Sequence, residues 1–178
     1  MNENINIQAV PSFCLNHIQL DVLRLDELHP IVSGNKWFKL KYYLLQAQKQ
    51  NADTIASFGG PYSNHLVALA YAAKEYNLKS IGYVRSNIDE PITPTLQEAM
   101  QYGMDLKFVG RNNFQEFKKE LIQNNQANHI YLVDEGGYGT LGAQGAATIL
   151  SNEKTNSYNH IICAVGTGTM MAGLISAA

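Results

Sequence analysis

Ser33-Gly34-Asn35-Lys36-Trp37-Phe38-Lys39 is the stretch on which the rest of the chain depends. Gly34 and Asn35 are residue types that tolerate unusual backbone angles. The run from Trp37 to Leu45 is apolar enough to bury one face of a helix. Lys36 is therefore expected to emerge from a tight loop at the mouth of a helix, with a second cation, Lys39, close behind. A loop lysine is ordinarily a solvated surface charge, so its meaning rests on what the chain places around it.

Outward from that point, apolar segments of strand and helix period alternate. His17 to Asp26 alternates apolar and polar residues and predicts a half-buried strand. A helix is expected from about Trp37 to Gln50, followed by the short buried strand Thr54 to Phe58 and the turn Gly59-Gly60-Pro61. Ser63 or Asn64 then caps a helix carrying Leu66, Leu69, Ala70 and Ala73 on one face. Lys79 to Val84 predicts the next strand. A helix to Tyr102 follows, started either by Thr93 with Pro94 or by a capping box of Thr95 and Glu98. Met104 to Val109 reads as a strand, and Phe114 to Asn124 as a helix with Phe117 and Leu121 facing inward. Ile130 to Val133 is a buried strand, and a helix runs from about Gly142 to Leu150. Ile161 to Val165 predicts the last buried strand, and an apolar helix begins near Met170. Such alternation argues for an α/β fold of parallel strands joined by right-handed crossovers, with helices on both faces.

Composition narrows the function classes. The 178 residues are 46% hydrophobic and 16% charged, as in an ordinary globular protein, and 13 basic against 15 acidic side chains give a net charge of -2. That balance offers no electrostatic footprint for nucleic acid or an anionic membrane. No apolar run is long enough to span a bilayer, and Met1-Asn2-Glu3-Asn4 lacks the features of a signal peptide, so a cytoplasmic protein is expected. Cys14 and Cys163 lie far apart without a Cys-x-x-Cys pair, which argues against structural zinc and a disulfide framework. Cys163 reads as a small buried hydrophobe.

In open parallel sheets ligands sit beyond the carboxyl ends of the strands, so the loops there are the places to look. One is the Lys36 loop. A second, Gly59-Gly60-Pro61-Tyr62-Ser63-Asn64-His65, combines small residues with a helix N-terminus, which suits a carboxylate. Its plain alternative is that Ser63 and Asn64 only cap the helix, and His65 on its own reads as a helix-surface residue. The third loop, Gly166-Thr167-Gly168-Thr169, exposes consecutive amides and hydroxyls and suits a phosphate. It lacks the Gly-Lys-Ser/Thr of a nucleotide P-loop, and a dinucleotide fingerprint would need a glycine at Met171. A turn without a ligand is its plain alternative.

A loop lysine, an anion-binding serine-asparagine loop and a phosphate cradle are the parts needed to hold pyridoxal 5'-phosphate. In that order the three motifs resemble those of the 1-aminocyclopropane-1-carboxylate deaminase and D-cysteine desulfhydrase family, within the tryptophan-synthase-β-like (fold type II) pyridoxal enzymes. The resemblance implies that Lys36 is the Schiff-base lysine and moves the α-proton. Ser63 would contact the substrate carboxylate and relay a proton, Asn64 would bond the cofactor's ring hydroxyl, and His65 belongs to the same substrate loop. The phosphate would lie on Gly166, Thr167, Gly168 and Thr169, with Lys39 as neutralising cation.

The implied activity is a lyase or deaminase giving a 2-oxo acid and ammonia from a small amino acid. The implied assembly is a homodimer. Tyr138 and its glycine loop receive no role. Family members continue well past the phosphate loop, so the cofactor domain is expected to be incomplete in this chain. Its pieces would be residues 1–47 and 147–178, with a small open-sheet unit inserted at 48–146. A truncated, non-catalytic homologue that binds a phosphorylated ligand or a partner chain is the alternative, and a sugar-phosphate or nucleotide binder using only the last loop is a third.

Overall fold

Thr54–Gly59 forms β3, six residues that are all buried, as an apolar run flanked by turn residues should be when strands lie on both sides of it. A computed structural model of the chain describes residues 5–13, 18–87, 89–124, 129–151 and 155–178. Within these, β3 sits third in a four-stranded sheet ordered β5-β4-β3-β6. The other strands are β4 (Lys79–Arg85), β5 (Met104–Val109) and β6 (Ile130–Val133), and every pairing is parallel. The crossovers are helical: α2 (Asn64–Glu75), α3 (Pro94–Gln101) and α4 (Phe114–Asn124).

Two apolar layers flank this sheet. On one side Ile55, Val84 and Val133 meet Leu66 and Leu69 of α2 and Leu96 of α3. On the other, Phe58 stacks on Tyr83 at 5.4 Å and meets Phe114 of α4 edge-on at 6.3 Å. The helix before the sheet, α1 (Lys36–Lys49), is a shared wall. Its Leu40, Tyr43, Leu44 and Ala47 join the sheet core. Its Phe38 joins a second cluster with Ile5, Leu25, Ala146, Ile149 and Leu174, which lies against α5 (Thr140–Ala147) and α6 (Thr169–Ala177).

These three helices meet at backbone distance. A Cβ on Gly145 of α5 would lie 2.0 Å from the Phe38 carbonyl oxygen, and one on Gly173 of α6 would lie 2.4 Å from that of Ala143. Glycine at each crossing lets the helix axes approach closely enough to exclude side chains between them.

Several expectations are corrected. Lys36 is the first residue of α1 and not a loop residue. Of the expected 17–26 strand, Asp21–Leu23 forms β2, Ile18 makes a single bridge and Leu25–Glu27 turns into a 3-10 helix; β2 pairs antiparallel with β1, Ile7–Ala9, a three-residue partner too short to carry a period. Cys14 and His17 lie outside the described residues. Ser63 caps α2, and at α3 the Thr93–Pro94 start prevails, with Thr93 Oγ1 accepting the Leu96 amide at 3.3 Å. The helix expected over 142–150 starts at Thr140 and tightens into a 3-10 turn at Thr148–Leu150. On α4, Phe114 is the fully buried residue, while Phe117 and Leu121 are half-buried. Ile130–Val133 is an edge strand in which only Val133 is fully buried.

The largest difference is at Ile161–Val165. It is not a strand, and Ile162 is 88% exposed. No described residue pairs with it, and an apolar run becomes a strand only where a neighbour takes its amides and carbonyls. Cys163 within it is free and half-buried, not buried.

Candidate active site

Both lysines stand where a helix ordinarily avoids them. Backbone dipoles make a helix N-terminus positive, so acids are favoured there and cations disfavoured. Yet α1 begins on Lys36, has no acidic residue in its first turn, and receives no side-chain cap from Asn35. Such a local conflict marks a place where function outweighs stability. The half-buried Lys36 Nζ donates to Asn35 Oδ1 at 2.9 Å, and burial pushes its pKa below the usual lysine range. The Asn35 amide nitrogen contacts Met170 Sδ at 3.1 Å, tying the lysine's partner to the first turn of α6.

Lys39, one turn further, is only 3% exposed. Its Nζ donates to Thr167 Oγ1 at 3.3 Å, which lies 3.0 Å from Thr169 Oγ1. Burial first, and the nearby Lys36 charge second, push its pKa down to about 8.

The turn that Lys39 touches leaves several polar groups open. Gly168 is left-handed, at φ 77°, and precedes α6 without any side-chain cap, so the opening amides of that helix keep their donors free for a ligand. Nothing lies within 4 Å of where a Cβ would stand on Gly166 or Gly168. Gly166 and Thr167 are exposed and Thr169 is buried. Open space, uncapped amides, two hydroxyls and a cation fit a phosphate monoester such as that of pyridoxal phosphate.

The Gly59–His65 loop leaves the carboxyl end of β3, where Ser63 Oγ accepts the Leu66 amide at 3.4 Å. Asn64 is exposed beside it. His65 is not on the helix surface: it is 4% exposed, with Nε2 2.9 Å from Ser57 Oγ. Burial, then the charges of Lys36 and Lys39, push its pKa down to about 3, so the ring stays neutral.

What joins these pieces is the loop that received no role from the sequence. It leaves β6, the strand beside β3, at the same end of the sheet. Gly136 and Gly137 adopt φ of 65° and 70°, which only glycine takes easily. A Cβ on Gly136 would press on Thr167 Cγ2 at 2.9 Å. One on Gly137 would stand 3.5 Å from Lys39 Cε and 3.8 Å from His65 Cε1. Tyr43 of α1 anchors the loop by donating from Oη to the Tyr138 carbonyl at 2.7 Å. Tyr43, Ser57 and Gly137 were missed because their relevance depends on strand order, which a sequence read alone does not give. Lys36, Lys39, His65, Thr167 and Thr169 are thus brought together through shared contacts, and Ser63 and Asn64 lie on the same loop as His65.

Fold and site define an α/β protein with a partly buried amine at a helix start and a second, buried lysine against the Thr167 turn. The chain belongs to the pyridoxal-phosphate dependent enzyme family, whose profile matches residues 15–178. It is 31% identical over 162 residues to a Thermotoga maritima protein named "Putative 1-aminocyclopropane-1-carboxylate deaminase", covering 85% of this chain and 52% of that one. It is 26% identical over 189 residues to the Arabidopsis thaliana "Bifunctional D-cysteine desulfhydrase/1-aminocyclopropane-1-carboxylate deaminase, mitochondrial", covering 95% and 46%. The crystal structure of an ACC deaminase homologue superposes with a TM-score of 0.80 at 22% identity, over 97% of this chain and 55% of that one. A fungal L-serine ammonia-lyase from Rhizomucor miehei gives 0.70 at 20% identity, over 97% and 54%. These solved structures share the fold. The chain spans about half the length of the curated relatives it matches. Pyridoxal phosphate is the family's cofactor. Among the described residues, no helix is long and apolar enough to cross a membrane.

Proposed function

We propose that this chain carries the cofactor-attachment half of a lyase or deaminase acting on a small amino acid, of the D-cysteine desulfhydrase or 1-aminocyclopropane-1-carboxylate deaminase kind. The observation that carries the reading is the connection between the lysine pair and the phosphate turn. Lys36 reaches α6 through Asn35 and Met170, and Lys39 reaches Thr167 directly. When bound, the cofactor draws off the electrons released as a bond at the substrate α-carbon breaks, so that a β-substituent leaves and hydrolysis gives a 2-oxo acid and ammonia.

The chain's own residues divide that work. Lys36 is the attachment point: a buried amine with a lowered pKa is more often unprotonated at neutral pH and so more often nucleophilic. Once released by substrate, the same amine is placed to take or return the α-proton. Lys39 and the amides and hydroxyls of Gly166, Thr167, Gly168 and Thr169 hold the phosphate. Ser63 meets the substrate carboxylate at the start of α2 and relays a proton, Asn64 bonds the ring hydroxyl, and His65 completes the loop. The unit at 48–146 closes over the pieces at 1–47 and 147–178 to exclude water.

The test is incubation with pyridoxal phosphate. A yellow adduct that borohydride fixes onto Lys36, located by peptide mass, supports the reading; an unchanged adduct in Lys36→Ala defeats it. The exposed, unpaired Ile161–Val165 segment favours one second reading, a non-catalytic chain that binds a phosphorylated ligand or a partner polypeptide. Cofactor binding without turnover of D-cysteine or 1-aminocyclopropane-1-carboxylate would select it.

A further inference from the structure

The turn from Pro30 to Asn35 delivers Lys36 to the start of α1. It is neither strand nor helix, so its shape depends on which groups take its amides. Gly34 donates to the Leu25 carbonyl at 3.1 Å. Ile31 and Val32 both donate to one atom, His29 Nδ1, at 3.1 and 3.0 Å. Pro30, between the histidine and these two amides, has no N–H of its own and disfavours helical backbone at His29. A side-chain acceptor for the second and third amides after it is ordinarily supplied by asparagine, aspartate, serine or threonine. Here an imidazole nitrogen fills that role.

Both amides fall on a single lone pair, so Nδ1 carries no proton and the ring keeps its proton on Nε2. Val32 is fully buried in the sheet core, and its amide would have no water to turn to if that lone pair were removed. The ring also has neighbours beyond the reach of a shorter side chain. Its centroid is 4.9 Å from that of Tyr71 and 6.4 Å from that of Trp37, and it lies within 11° of parallel to Trp37. Trp37 directly follows Lys36 on α1, and Tyr71 is on α2, the helix that Ser63 caps. One ring thus touches the lysine turn, the helix that the lysine opens and the helix that carries the Ser63–His65 loop.

Resting on the assignment of Lys36 as the attachment lysine, we propose that His29 is a positioning residue for that amine. Its Nδ1 lone pair fixes the turn before α1, and its ring seats that turn against Trp37 and Tyr71, so that Lys36 and the Ser63–His65 loop keep one spacing. His29 passes no proton.

Two substitutions separate the lone pair from the ring. His29→Asn places an oxygen near the Nδ1 position and gives up the ring; His29→Phe keeps a ring and gives up the acceptor. Hydrogen exchange of the Ile31 and Val32 amides should be slow in the unaltered protein and in His29→Asn, and about tenfold faster in His29→Phe. Adduct formation with pyridoxal phosphate, fixed by borohydride and located on Lys36, should be about tenfold slower in His29→Phe, with His29→Asn between the two. Inorganic phosphate binding at the Gly166–Thr169 turn should stay the same in all three proteins. A His29→Phe adduct rate equal to that of the unaltered protein refutes the proposal, and so does equal slowing in both variants. A parallel loss of phosphate affinity refutes a role specific to the lysine. In mildly alkaline solution, long-range proton–nitrogen spectra should show the ring that His29→Asn removes protonated at Nε2; protonation at Nδ1 overturns the proposal even if His29→Phe misfolds. If the unaltered protein forms no adduct on Lys36, the attachment assignment fails instead, and amide exchange and the tautomer still decide whether the ring holds the turn.

Discussion

Replacing Gly145 with alanine sets two effects of opposite sign against each other. In a helix interior, Gly→Ala is worth about 1 kcal/mol through backbone entropy and propensity. Here the new Cβ would stand 2.0 Å from the Phe38 carbonyl oxygen. An ordinary carbon–oxygen contact is about 3.3 Å, so α5 would have to retreat from α1 by roughly 1.3 Å. The obstacle is backbone, which cannot rotate away, and overpacking of this kind costs about 1–3 kcal/mol or more.

The clash should prevail, with a net loss of about 1–2 kcal/mol and a Tm lower by roughly 2–8 °C for a domain this size. Phe38 lies between Lys36 and Lys39, so the same displacement should weaken pyridoxal phosphate binding. Thermal unfolding and cofactor titration of Gly145→Ala measure both effects. A variant with Tm equal to or above that of the unaltered protein, and unchanged cofactor affinity, would refute the backbone-contact account of how α5 seats α1.

Lys39→Met should weaken inorganic phosphate binding and remove the part of its pH dependence that Lys39 supplies: in the unaltered protein, affinity should fall as pH rises through about 8, where the Lys39 ammonium is lost. Isothermal titration at several pH values checks this, and parallel profiles for the two proteins would contradict it. Thr93→Ala removes both the α3 cap and the bond from Thr93 Oγ1 to the Pro61 carbonyl, and should cost about 1–2 kcal/mol in urea unfolding. His65 also sets an acid limit. Its folded pKa is near 3 against 6.5 unfolded, so the unfolded state binds more protons between those values and stability falls as pH drops through that window. At pH 5 the loss is about 2 kcal/mol; denaturation midpoints from pH 7 to 4 should show it, and His65→Asn should lack it.

The sheet was legible because β3, β4, β5 and β6 each carry a run whose burial pattern is set locally, and turn residues mark their ends. Three kinds of feature were not. That Lys36 lies inside the helix and not just before it carried none of the usual signals: no side-chain cap and no acid in the first turn. The residues Ile161–Val165 have strand composition, but a strand needs a neighbour and none of the described residues supplies one. The roles of Gly136, Gly137, Tyr43 and Ser57 arise because β6 lies beside β3, so that loops 70 residues apart share one end of the sheet. The lysine, the Ser63–His65 loop and the Gly166–Thr169 turn could be picked out because each joins unusual residue types at a strand or helix boundary. That His65 points inward could not, since a histidine in the first turn of a helix fits either face.

The crowding of cations at the start of α1 has a practical consequence. Two ammonium groups one turn apart share the positive end of a helix dipole, and Lys39 is sealed against the Thr167 turn. Empty, this corner is self-repelling; any small dianion that settles on the turn relieves the strain and stabilises the whole protein by mass action. Inorganic phosphate is such a dianion. Protein kept in phosphate buffer would therefore melt higher yet take up its cofactor more slowly than the same protein in a buffer without oxyanions.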